Sequence, residues 1–180
     1  DYYKTDTHWK QENLPKIANA IAHTMSISIT NTYIEKDIIN FKGVYAYRLP
    51  IKTDNDTIKV LTNEIIENAL TYNYETQKEA PVYNLDKINS LDKYDIYLSG
   101  AVSIIDITNN NSTNNKELIV FRDSFGSSLI PLLISGYSKI TVIDTRYVSP
   151  KILTNYVDFN NKDILFIYST ISINNSSSIR

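Results

Sequence analysis

The segment YYKTDTHWK places His8 two residues after Asp6 and directly before Trp9, in a chain with only two histidines and one tryptophan. Much later, FRDSFGSS sets Ser124 among small residues. These three residue types can run acyl-transfer chemistry. A serine hydroxyl is a weak nucleophile until a base removes its proton, and that base needs an acid to hold its tautomer. In an extended segment residues two apart point to the same side, which lets an Asp-x-His pair meet. Spacing alone leaves alternatives open: a surface turn accounts for Asp6 and His8, and a helix N-cap accounts for Ser124. His23 lies in NLPKIANAIAHTM, opposite the apolar face formed by Leu14, Ile17, Ala18, Ile21, Ala22 and Met25, and reads as a solvated histidine.

Composition removes other chemistries. The absence of cysteine excludes thiol nucleophiles, disulfides and cysteine-based zinc sites. No cluster of His, Asp and Glu has metal-ligand spacing, and four glycines form no phosphate-binding loop, so neither metal nor cofactor is expected. A net charge of −2 gives no reason to expect nucleic acid as a partner. No run approaches the ~18 apolar residues of a membrane helix. The 180 residues suit one domain, and with 42% hydrophobic and 21% charged residues the composition is that of a globular protein. The chain opens on Asp1, so we expect a piece of a longer protein whose membrane anchor or export signal lies upstream.

The elements that must position Ser124 are clearest in the last third. LIVFR (118–122), ITVID (140–144) and ILFIY (164–168) are short apolar runs that suit strands buried on both faces of a parallel sheet. SFGSSLIPLLISGY and SPKILTNYVDF lie between them as helical connections, the first kinked at Pro131 and the second capped by Ser149 with Pro150 in its first turn. Strand–helix–strand–helix–strand implies an α/β fold. Ligands then bind where the strands end, at Asp123–Ser124, Thr145–Arg146 and Ser169–Thr170. Ser124 on such a turn has backbone N–H groups and a helix start nearby, as an oxyanion requires.

Upstream, Asn13 is the expected N-cap of a helix beginning at Pro15. KGVYAYRLP (42–50) suggests a strand, residues 60–70 a helix, and residues 71–85 a surface loop. KYDIYLSGA reads as a strand running into a turn at Ser99–Gly100, and ITNNNSTNNKE (107–117) as an exposed connection.

Taken in order, YYKTDTHW, YDIYLSGA, FRDSFGSSLIPLL and ITVIDTRYVSP resemble the DHHW and alginate O-acetyltransferase-like (AlgX/AlgJ-type) branch of the SGNH hydrolase superfamily. The resemblance covers about half of the chain convincingly, and the ordered blocks are more specific than any one alone. It implies an SGNH-hydrolase-like (flavodoxin-like) three-layer α/β fold with a central parallel sheet. It also implies a triad of Ser124 as nucleophile, His8 as general base and Asp6 as its orienting acid.

The implied activity is O-acetyl transfer to a cell-surface or extracellular polysaccharide. The acyl donor could come from a membrane-bound O-acyltransferase partner, and the location would be extracytoplasmic. An acetylesterase of the same fold and a non-catalytic glycan-binding or scaffold domain are the alternatives. Two departures stand out. Thr7 replaces the first histidine of DHHW, and Ser99–Gly100–Ala101 replaces a Gly-Gly-Asn-like turn, removing an expected oxyanion-hole asparagine. The N–H groups of Ser124 and Gly100 remain as oxyanion donors. Arg146 is a candidate contact for an anionic sugar, with pairing to Asp144 or Asp123 as its alternative. Trp9 is a candidate sugar-stacking residue, with packing beside His8 as its alternative.

Overall fold

A computed structural model describes residues 1–46, 48 and 52–178. In chain order its elements are α1 (Pro15–Thr24), β1 (Ile34–Phe41), β2 (Asp56–Thr62), α2 (Glu64–Asn68), β3 (Leu70–Asn73), β4 (Lys78–Pro81), β5 (Ile104–Thr108), β6 (Glu117–Arg122), α3 (Gly126–Leu129), β7 (Lys139–Ile143), β8 (Asp163–Ile167) and α4 (Thr170–Asn174). Short 3₁₀ turns fill several connections, among them Lys93–Ile96, Ile130–Gly136 and Pro150–Asn155.

The six-stranded sheet runs β4-β3-β5-β7-β6-β8. The α/β expectation holds, but only β7, β6 and β8 are parallel. β5 is antiparallel to β7, β3 to β5, and β4 to β3. The sheet is therefore mixed: β3 and β4 form a hairpin, whose two strands must be antiparallel, and β5 also runs antiparallel to both of its neighbours.

Alternation along the central strands sorts side chains onto two faces. Leu118 and Val120 join Leu14, Ala18, Ile66 and Leu132 in the larger core, under α1, α2 and the 130–136 turn. Ile119 faces the other way, into a smaller core with Ile143, Val148, Leu153 and Val157. This gives the three layers. The β1–β2 ribbon stands apart from the main sheet, with a register shift between Asp37 and Ile39. Its buried Phe41, Ile58 and Val60 pack with Tyr3, Tyr94, Ile96 and Tyr97.

Several local expectations are corrected. Residues 60–70 divide into the end of β2 and the five-residue α2, where Asn63 caps the backbone of Ile66. The segment 71–85 is largely the β3–β4 hairpin, because Leu70–Asn73 pair with both β4 and β5. Lys93–Ile96 is a 3₁₀ turn, and Tyr97 makes only an isolated bridge to Tyr83. Asn13 does not cap α1; Leu14 occupies that position without a side-chain bond, although Pro15 does open the helix. Within 42–50, Val44–Ala46 form a turn, while Tyr47, Leu49 and Pro50 lie outside the described residues. Asn109, at the head of the Asn-rich connection, is buried and donates to the carbonyls of Ile134 and Tyr137.

The expected helix after Ser124 is shorter than its sequence suggests. α3 lasts one turn, and Pro131, lacking an N–H, hands the chain to a 3₁₀ segment. The connection at 150–155 is likewise 3₁₀, with Ser149 capping the Lys151 N–H. β8 is an edge strand, and Phe166 is 66% exposed. The apolar run at 164–168 therefore does not report burial on both faces.

Candidate active site

The N-terminal ten residues fold back on themselves. Tyr2 bridges Trp9, the Tyr3 N–H donates to the His8 carbonyl, and the Lys10 N–H donates to Asp1. The tip of this hairpin is pinned by the β1–β2 ribbon. Buried Asp56 accepts from the Lys4 N–H (3.1 Å), the Thr5 N–H (2.7 Å) and the Thr5 hydroxyl (2.7 Å). The turn after β1 closes over the same tip, as the Gly43 N–H donates to Thr5 Oγ1 and the Tyr45 N–H to the Thr5 carbonyl. Gly43 is required there by close approach. A Cβ at this position would stand 2.4 Å from Asp6 Cβ and Oδ2.

Asp6 and His8 meet through a bend, not through the extended segment that the two-residue spacing suggested. Asp6 Oδ1 accepts both the His8 backbone N–H (3.0 Å) and His8 Nδ1 (2.6 Å), and Oδ2 accepts the Val44 N–H (3.2 Å). Burial works to raise the Asp6 pKa, but the bonds from His8 and Val44 outweigh it and hold the group below the ordinary aspartate value. An ionised Asp6 has no proton to give, so Nδ1 carries the hydrogen. Nε2 is then free to accept. It lies 2.8 Å from Ser124 Oγ, across 116 residues of sequence. Asp6 and His8 are 4% and 7% exposed, whereas Ser124 is only partly buried.

Ser124 sits just beyond β6, and its turn is fixed by the residue before it. Buried Asp123 accepts the Phe125 N–H through Oδ1 (3.0 Å), and through Oδ2 the Ser169 N–H (2.8 Å) and the Ser172 hydroxyl (2.6 Å). Burial raises its pKa, yet these bonds prevail and the carboxyl is held below its usual range. Asp123 thus ties the exit of β6 to the exit of β8. The Ser124 N–H has no partner among the described residues and is available to an incoming oxyanion.

The other expected site residues each have partners within the protein. The Gly100 N–H donates to the Tyr97 carbonyl, and the Gly100 carbonyl accepts from Arg122 Nη2 (3.0 Å). Leu98, Ser99 and Gly100 all have positive φ, a left-handed turn that is strained at its two non-glycine positions. Arg146 is clamped onto Asp144 by Nε–Oδ1 (2.9 Å) and Nη2–Oδ2 (2.7 Å) bonds. Trp9 Nε1 donates to the Phe125 carbonyl (2.9 Å) and to Ser128 Oγ (3.0 Å), and its ring meets Phe125 edge-on. Its polar edge holds the turn beside Ser124.

A cavity of about 490 Å³ opens beside Asp6, lined by the chain neighbours of His8 and Ser124 and not by those two residues themselves. Its walls include Tyr2, Lys4, Thr7, Trp9, Tyr45 and Phe125, together with the β8 exit at Tyr168–Thr170. It therefore lies at the carboxyl end of a parallel strand, where α/β sheets bind ligands. Among the described residues no group of three or more Asp, Glu or His is placed to hold a metal ion, and no helix is long and apolar enough to cross a membrane.

Sequence reasoning missed Asp56, Tyr94 and Arg122. Asp56 and Tyr94 act through contacts with segments far from them in sequence. Arg122, wholly buried, reads in the sequence only as the end of a strand. Asp123 carried a local signal, since an aspartate two residues before a free N–H commonly makes an Asx turn.

No protein-family model matches the sequence, and no curated protein does. Solved structures do match. A DHHW family protein from Eubacterium siraeum superposes with a TM-score of 0.71 at 22% identity, covering 99% of this chain and 60% of its own. PatB1 from Bacillus cereus superposes with a TM-score of 0.68 at 22% identity, covering 96% of this chain and 63% of its own. A second PatB1 structure, with a sulfonyl adduct, agrees equally well. The chain spans about three fifths of the structures it matches. Its fold is the SGNH-like α/β fold of the DHHW protein and PatB1.

Proposed function

We propose that the protein is an acyltransferase that moves acetyl groups onto hydroxyls of an extracellular or cell-surface polysaccharide through an acetyl-Ser124 intermediate. The observation that carries this reading is the continuous relay from Ser124 Oγ to His8 Nε2 at 2.8 Å and from Nδ1 to Asp6 at 2.6 Å. In the first half-reaction His8 Nε2 takes the Ser124 proton as Oγ bonds to the donor's carbonyl carbon. The carbonyl oxygen becomes an oxyanion facing the Ser124 N–H. When the C–O bond to the leaving group breaks, Nε2 returns the proton to that group. In the second half an acceptor hydroxyl gives its proton to Nε2 and bonds to the acyl carbon. Ser124 then leaves and regains its proton. Asp6 stays ionised throughout and stabilises the imidazolium.

The aromatic cavity beside the relay suits a sugar ring, since flat apolar faces and scattered polar groups match a carbohydrate's two faces. An esterase uses the same relay with water as acceptor. A non-catalytic glycan-binding domain is the competing reading. One observation favours it: Gly100 has committed its N–H to Tyr97, and Ala101 brings no side-chain donor, leaving one identified oxyanion donor. Loss of such a donor typically slows turnover about 100- to 1,000-fold.

Two measurements decide the matter. A sulfonyl fluoride or fluorophosphonate should label Ser124, with labelling abolished in Ser124→Ala; PatB1 has been captured with a sulfonyl adduct. Turnover of p-nitrophenyl acetate should accelerate when a soluble glycan is added, with acetylated glycan as product. Release of free acetate alone supports the esterase, and an unlabelled, inert wild-type protein refutes catalysis by this relay.

A further inference from the structure

The His8 ring lies almost flat on the Tyr94 ring, with centroids 3.9 Å apart and planes 9° from parallel. Phe125 approaches it at 5.2 Å with the planes tilted by 47°. Tyr94 is buried and packed edge-on to Tyr3 at 6.4 Å, with Tyr97 tilted against it at 4.8 Å. Its hydroxyl donates to Ser128 Oγ at 2.6 Å, and that oxygen also accepts from Trp9 Nε1. Ser128 is buried on α3, four residues beyond Ser124. The ring that touches the base is therefore bonded to the helix that follows the nucleophile.

We propose that Tyr94 is a positioning residue for the acyl-transfer reading: its ring fixes the His8 plane, and its bond to Ser128 sets the distance between base and nucleophile. Stacking contributes in two ways. Without it an imidazole held at Nδ1 can still rotate about its own bonds, which would swing Nε2 off Ser124. An electron-rich ring face also favours the imidazolium that forms as Ser124 loses its proton. Burial drives the Tyr94 pKa well above its ordinary value, so the ring remains a neutral phenol and a hydrogen-bond donor.

The test combines NMR of the two histidines with kinetics. In the Ser124→Ala background, the Hε1 proton of His8 should resonate upfield of exposed His23 because of the Tyr94 ring current. Tyr94→Leu should move it toward the His23 position. In the Ser124 protein, Tyr94→Leu should lower kcat about 10- to 100-fold with KM little changed, as a misplaced catalytic group does. Tyr94→Phe, which keeps the stack but loses the bond to Ser128, should retain the upfield signal and fall between wild type and Tyr94→Leu in kcat.

A folded Tyr94→Leu with an unchanged His8 resonance overturns the proposal, and so does one with wild-type kcat. If Tyr94→Leu melts far below wild type, Ser128→Ala decides, with a smaller change expected in the same direction and no change in spectrum or kcat overturning the idea. A wild-type protein without turnover or Ser124 labelling defeats the acyl-transfer reading separately. The NMR comparison would still show whether Tyr94 holds His8.

Discussion

Replacing Asp6 with asparagine tests the relay at its most constrained point. Asp6 is 4% exposed, and both of its oxygens are occupied by donors: two from His8 at Oδ1 and one from Val44 at Oδ2. An asparagine has one oxygen for these three donors. With the oxygen toward His8, the new NH₂ opposes the Val44 N–H, and two donors face each other. With the oxygen toward Val44, the NH₂ meets His8 Nδ1 and favours the tautomer protonated on Nε2, which cannot accept the Ser124 proton. Turnover should fall by about 10³- to 10⁴-fold, the scale expected when a triad histidine is held in the wrong tautomer.

Stability should fall less severely. Losing a charge-assisted bond and leaving a buried donor unmatched costs about 2–3 kcal/mol, which lowers the Tm of a domain this size by roughly 4–12 °C. The pH dependence has a definite sign. Asp6 is held below its ordinary pKa, so its stabilisation is complete above the unfolded carboxylate range and is lost as pH falls through the folded value. Asp6→Asn should remove that part of acid destabilisation. The assays are steady-state hydrolysis of p-nitrophenyl acetate and thermal melts from neutral pH into the acid range. Wild-type turnover in a folded Asp6→Asn protein would refute the assignment of Asp6 to the relay.

Gly43→Ala should reduce turnover by about 100-fold while leaving a cooperative melt, because its Cβ would displace the Asp6 carboxylate; an unchanged rate shows that the approach is not tight. Asp56→Ala removes three bonds that hold Lys4 and Thr5, and should cost about 3 kcal/mol, or roughly 6–12 °C of Tm, with disproportionate loss of ester turnover. A Tm within 1–2 °C of wild type, on the order of the scatter for surface changes, contradicts that anchoring role. His23→Ala should leave both rate and Tm unchanged, since His23 is exposed near the end of α1; a substantial loss of turnover would transfer the base role away from His8.

The sheet shows where local pattern is sufficient. β6 and β7 appear in the sequence as apolar runs because both faces of a central strand are covered, and burial leaves that imprint directly. β8 carries the same imprint while sitting at an edge, since hydrophobicity records a side chain's chemistry and not what lies over it. The β3–β4 hairpin escaped because Tyr, Asn, Glu and Lys alternate there on a mostly solvated edge, which resembles a polar loop.

The candidate site divides the same way. Asp6, His8 and Ser124 were legible because few residue types can act as acid, base and nucleophile, and the chain offers two histidines and no cysteine. Strand ends, Pro131 and the Ser149 cap followed from local backbone chemistry. Only the tertiary structure brought His8 within 2.8 Å of Ser124, because that distance depends on Asp56 and Gly43 holding one segment and Asp123 holding the other. It also chose partners that spacing left open, bonding Arg146 to Asp144 and the Gly100 N–H to the Tyr97 carbonyl. A side chain's type states what it can donate or accept. Which partner it finds is set by packing across distant segments, and one-dimensional spacing does not carry that information.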